Sequence, residues 1–283
     1  MLNPLEYYTY MYPQLTLNVS AGMSKSDIYK DIVLRGIFPD NLTFPLKSNN
    51  EEERIVIDTP IGKVECLYLP QREIFERFVE VLAYQCEPTI IPKSTGAMLI
   101  SGINCYRKIL LHQEEFLKTH KQEEWDEEFD LFVSNPDNYK STVLLISKGY
   151  YSALDYKETC YEKEEYLRIS KDIRIYHEIS HYICRKLFIE HLEPVRDEVI
   201  ADTIGIIYAT KKFDPLLLKK FLGIENDVYR KGGRLENYCG KEEIEDKMHY
   251  CKELINKLEI FIDDNKSLDP FALLLKIERE YIR

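Results

Sequence analysis

Apolar residues recur with two periods along this chain of 283 residues, and most of it follows the helical one. The first fifty residues are interrupted by Pro4, Pro13, Pro39 and Pro45, which leaves room for one short helix from about Ser24 to Leu34, with Ser24 as its cap. Alternating runs at 54–59 and 63–69 flank Pro60-Ile61-Gly62 and predict a hairpin. A helix over 71–84 follows, with Ile74, Phe75, Phe78, Val79, Val81 and Leu82 as its apolar stripe. Segment 87–103 holds two prolines and two glycines and reads as a crossing between subregions. Helices are expected over 104–118 and 122–133, the second stopped by Asn135-Pro136. A strand over 142–147 then leads through Gly149 into a second extended run, 150–154.

From Asp172 the pattern is strongly helical, with Ile173, Tyr176, Ile179, Ile183, Leu187 and Phe188 on one side of a helix expected to reach about Glu190. Pro194 suits the start of the next helix, about 195–211, where Ala201, Thr203 and Gly205 are small enough for close approach. Segments 214–223, 241–264 and 269–282 read as helices, interrupted over 224–240 by a segment with three glycines and two tyrosines. The pattern implies an α+β fold, mainly helical with a small β-sheet. The expected division is a mixed α/β region over 1–100 and a second domain with C-terminal helices over 101–283.

The helix from Asp172 carries His177-Glu178-Ile179-Ser180-His181. Imidazoles at i and i+4 project from adjacent turns of one face and can meet one ion, with the carboxylate of Glu178 beside them. Seventeen positions after His181 comes Glu198, and four further on Asp202, again on one helix face. A short connector favours an antiparallel return that brings Glu198 back to the histidines as third ligand; Asp197 and Glu190 are the competing carboxylates. Two histidines and a glutamate leave a fourth zinc position for water. Asp202 can accept the outer N–H of a ligand histidine. Cys184 shares the face of His177 and His181 but reads as a small buried residue.

Composition narrows the function. A formal charge of -11 and a pI near 5.2 exclude a nucleic-acid binder, which needs clustered cations. Seven cysteines without a C-x-x-C pair, and no apolar leader, predict a reduced cytoplasmic protein, and no apolar run is long enough for a membrane span. Donors for a developing oxyanion or for substrate contact are sought downstream, in Tyr229, Arg230, Arg234 and Tyr238 around the Gly232-Gly233 turn, and in His249 and Tyr250. The extended run over 142–154 is a candidate edge strand for pairing with a peptide.

His177-Glu178-Ile179-Ser180-His181 followed by Glu198-Val199-Ile200-Ala201-Asp202 resembles the gluzincin branch of the zincin metallopeptidases, whose pattern is H-E-x-x-H and then E-x-x-x-D. The short spacing between the motifs is more like that of compact intracellular ImmA/IrrE-like members. The resemblance covers about residues 172–208. It implies a zincin-like fold, zinc held by His177, His181 and Glu198, Glu178 as general base and Asp202 as support for a ligand histidine. The expected function is a zinc-dependent hydrolase acting on a peptide or protein substrate. The alternatives are a zincin-like protein-binding domain with little turnover and a hydrolase of a small amide or ester.

Overall fold

Four strands form a mixed sheet in the order β1-β2-β4-β3: β1 Glu53–Thr59, β2 Gly62–Leu69, β3 Ala97–Asn104 and β4 Lys140–Ser147. The computed structural model describes residues 2–188 and 193–281. The last five residues of β4 are buried, as an apolar run in an interior strand requires. It pairs in parallel with β2, Cys66 opposite Leu144, and antiparallel with β3, Leu99 opposite Leu144. With a partner on each side, β4 is an interior strand, which the sequence pattern alone does not separate from the candidate edge strand, and it has no free edge to offer a peptide. The hairpin expected at 54–69 forms β1 and β2.

The chain divides into two compact units, residues 1–57 with 64–147, and 58–63 with 148–283. β3 spans residue 100, where the sequence reading divides the chain, and its pairing with β4 carries the first unit on to Ser147. Around the sheet of that unit lie α1 Pro4–Met11, α2 Asp27–Lys30, α3 Arg72–Leu82, α4 Tyr106–Phe116, α5 Trp125–Ser134 and the single turn α6 Pro136–Tyr139. Tyr8, Leu15, Phe75, Phe78, Leu67 and Leu145 belong to one buried core. The cap of α2 is Ser26, whose side chain accepts from the Tyr29 N–H, rather than Ser24, which is bound to Glu87.

The second unit is helical: α7 Lys163–Leu187, α8 Pro194–Thr210, α9 Pro215–Leu222, α10 Ile244–Asp264 and α11 Pro270–Lys276, with a two-residue ribbon of β5 Ile224–Glu225 and β6 Val228–Tyr229. α7 begins well before Asp172; Glu164 and Glu165 in its first turn and Arg185 and Lys186 in its last complement the helix dipole. Its expected extension to Glu190 lies outside the described residues. α8 starts at Pro194, where the Glu193 carboxylate accepts from the Arg196 N–H, and ends at Lys211 in the left-handed region. Residues 150–154 do not form the extended run expected: only Tyr150 and Leu154 at its ends have extended backbone. Tyr151–Ala153 form a 3₁₀ turn in which Ser152 and Ala153 have φ of 54° and 55°, because the ring of Tyr151 turns inward and is 5% exposed. No described helix is long and apolar enough to cross a membrane.

α8 is buried around most of its circumference, and α7 lies directly against it. A Cβ on Gly205 would come within 2.9 Å of the Ile173 carbonyl oxygen, so only glycine permits this spacing without a shift. Gly205→Val is expected to destabilise the protein by roughly 1–3 kcal/mol, read as a lower urea midpoint at unchanged slope.

Candidate metal centre

His177 and His181 leave α7 one turn apart, and Glu198 and Asp202 leave α8 one turn apart, facing them. Among the described residues, His177, His181 and Glu198 form a cluster that can hold a metal ion. The histidine Nε2 atoms are 3.2 Å apart; Glu198 Oε2 is 3.5 Å from His177 Nε2 and Oε1 is 3.2 Å from His181 Nε2. Ligands at about 2.0–2.1 Å from a tetrahedral zinc ion are about 3.3–3.4 Å from each other. The three side chains therefore fit such an ion. The donor set fits it too, with two nitrogens, one carboxylate and no thiol.

Asp202, the supporting acid expected from the sequence, has no solvent exposure. Its Oδ1 lies 2.8 Å from His177 Nδ1 and accepts from the Tyr151 hydroxyl at 2.5 Å, while its Oδ2 is paired with the Arg234 guanidinium. Burial alone raises the pKa of Asp202, but the charge of Arg234 and the hydrogen bond from His177 outweigh it and hold the carboxyl below its usual range. Burial likewise opposes the charged form of His177, yet the hydrogen bond and charge of Asp202 raise its pKa overall. Glu198 is pushed up by burial and pulled further down by His181, His177 and Arg234, to about 2. It is a carboxylate at every physiological pH, as a metal ligand must be.

The downstream candidates separate cleanly. Tyr238 donates to Glu198 Oε2 at 2.8 Å and is half-buried, at the centre. Arg234 is also there, but its guanidinium is committed to Asp202 and to the Tyr151 hydroxyl, 2.9 Å away, with Glu198 at 3.7 Å. Tyr229 donates to the Gly233 carbonyl and shapes the turn instead. Arg230 pairs with Glu158 and Glu225, His249 pairs with Glu253 on the exposed side of α10, and Tyr250 packs beside Lys247; none of the three is bonded to the cluster. Glu178 is half-buried and makes no hydrogen bond or ion pair among the described residues. Asp197 is not in the three-residue cluster but lines a small cavity beside it with His181, Ser180, Cys184 and Glu278, where burial pushes its carboxyl up to about 6. Cys184 is half-buried there, its thiol pushed up to about 12 by burial, and outside the metal cluster. Glu190 lies outside the described residues.

Tyr151 is the member of the site that the sequence reading missed. Its alternating neighbours resemble a strand, and nothing local announces that its hydroxyl reaches a residue 51 positions away.

A protein-family model described as a family of unknown function (DUF7005) matches residues 3–265. No curated protein and no solved structure matches the chain.

Purified protein is expected to hold about one zinc per chain, and His177→Ala and Glu198→Gln to lose it, by elemental analysis after dialysis. His249→Gln, at an exposed position, should retain it.

Proposed function

We propose that this chain, which belongs to that family of unknown function, is a zinc-dependent hydrolase and specifically a metallopeptidase with a zincin-like helical core. The observation that carries the reading is a ligand-shaped triangle of His177, His181 and Glu198 with an uncommitted carboxylate, Glu178, next to one of its corners. A structural metal site has no use for such a base. Seven free thiols support a reducing cytoplasmic setting.

In this reading His177, His181 and Glu198 hold the ion. Zinc, when bound, supplies an acidified water and polarises a carbonyl oxygen. Glu178 would act as the base that accepts a proton from the attacking water and returns it to the leaving amine, a role that needs a carboxylate free of other partners. Asp202 keeps the proton of His177 on Nδ1, so that Nε2 faces inward with its lone pair. Tyr238, half-buried beside the ligands, gives its one proton to Glu198 Oε2 and would meet a developing oxyanion by turning that O–H away from Glu198. Arg234 and Asp202 neutralise each other beneath this arrangement and leave the charge of Glu198 for the ion.

Glu178→Gln is expected to keep about one zinc per chain and to lower cleavage of an unstructured peptide mixture by roughly 10²–10⁴-fold, followed by mass spectrometry. Undiminished cleavage by the variant, or zinc-loaded native protein that cleaves no peptide, would overturn the peptidase reading.

A further inference from the structure

The turn that carries Tyr151 is held more firmly than a connecting segment needs. Arg174 of α7 donates to the Gly149 carbonyl at 2.7 Å and to the Tyr150 carbonyl at 2.6 Å. Ser170 Oγ accepts the Tyr151 N–H at 3.0 Å, and the Ser152 hydroxyl donates to the Phe221 carbonyl at 2.7 Å. Ser152 and Ala153 are both left-handed, a conformation that residues with a Cβ adopt at a cost and that persists where the surroundings impose it. What this clamp delivers is one hydroxyl. The Tyr151 ring packs edge-on against Phe221 with centroids 4.8 Å apart, and its oxygen enters the contact between Asp202 and His177.

Counting protons there leaves one arrangement. The Asp202 carboxylate only accepts and the Arg234 guanidinium only donates. The single proton of the Tyr151 hydroxyl is placed on Asp202 Oδ1, so this oxygen can only accept from Arg234 Nη1 at 2.9 Å and from His177 Nδ1 at 3.0 Å. The Nδ1 proton of His177 is therefore held between Asp202 Oδ1 and Tyr151 Oη, and the ring cannot flip or change tautomer without breaking both contacts. Tyr151 is too deeply buried to touch a substrate.

We propose that Tyr151 is a positioning residue of the metal centre, which acts through Asp202 and His177 and fixes the tautomer and orientation of the first metal ligand. The proposal rests on the zinc reading above. It assigns Arg234 to the same duty from the opposite side and leaves Tyr238 as the oxyanion donor.

Tyr151→Phe keeps the ring against Phe221 and removes the hydroxyl alone. Zinc affinity, measured by competition with a chromogenic chelator, is expected to fall by about 10–100-fold. In zinc-loaded protein labelled with ¹⁵N-histidine, the Nδ1–H resonance of His177 should shift and exchange faster with water, a change that a general loss of packing does not produce. Tyr208→Phe, on a ring stacked against Tyr176, should alter neither quantity. Arg234→Lys, which keeps a cation beside Asp202 and withdraws the Nη1 donor from the Tyr151 hydroxyl, is expected to move the same two readouts in the same direction and serves if the first variant fails to fold. Native protein that binds zinc, beside a Tyr151→Phe variant with equal affinity and an unmoved resonance, would overturn this proposal alone. Native protein that binds no zinc would overturn the metal reading and this proposal with it.

Discussion

A carboxylate sealed from water governs the second unit. Burying Asp202 unpaired would be prohibitive, and removing one partner of a buried ion pair typically costs about 3–5 kcal/mol. Its partners come from three places in the chain: His177 from α7, Tyr151 from the turn after β4, and Arg234 from the loop before α10. The acid can be buried only when all three segments have arrived. Burying Asp202 therefore draws together the same segments that bring His177 to the candidate metal site, and the contact with this carboxylate orients the His177 ring.

The helix pair sets the distances. Antiparallel neighbours meet in pairs that step in opposite directions along the chain, and here His177 meets Asp202 while His181 meets Glu198. One stripe of α7 thus reads one stripe of α8, so the ligand and its supporting acid need no special backbone. Close approach does need small residues, and Gly205 against the Ile173 backbone supplies it near the buried end. The stack of Tyr176 on Tyr208 continues the same seam.

This division explains which parts were legible in the sequence. The pairs 177/181 and 198/202 depend only on helical period, and the hairpin of β1 and β2 depends on alternation around Pro60-Ile61-Gly62; local patterns encode both. The mainly helical α+β character with a small sheet follows from the same periodicities. Tyr151 was illegible because its role is set by a left-handed turn at Ser152 and Ala153, where no glycine marks the conformation. The interior position of β4 was hidden for a related reason: sheet order is a long-range property, and β3, which covers one side of it, lies in a segment whose prolines and glycines suggest a crossing. From β6 to α10, composition points to six polar candidates, but only contacts distinguish Tyr238 and Arg234 at the centre from Tyr229, Arg230, His249 and Tyr250 away from it.

The remaining question is whether the triangle of His177, His181 and Glu198 is built for a proton or for a metal. A charge-assisted N–H···O bond has its optimum at about 2.7–2.9 Å, so a cluster held together by protons draws at least one edge into that range. The three edges are 3.2, 3.5 and 3.2 Å. All three are long for hydrogen bonds and close to the separation of neighbouring ligands around one ion. With its proton on Nδ1, His177 turns the lone pair of Nε2 toward the Glu198 carboxylate, a pairing that a cation between them would relieve. Arg234 does not fill that role, because Asp202 takes its charge and Glu198 receives only a contact at 3.7 Å. The cluster thus has the donor types and the near-even spacing that a divalent cation would take.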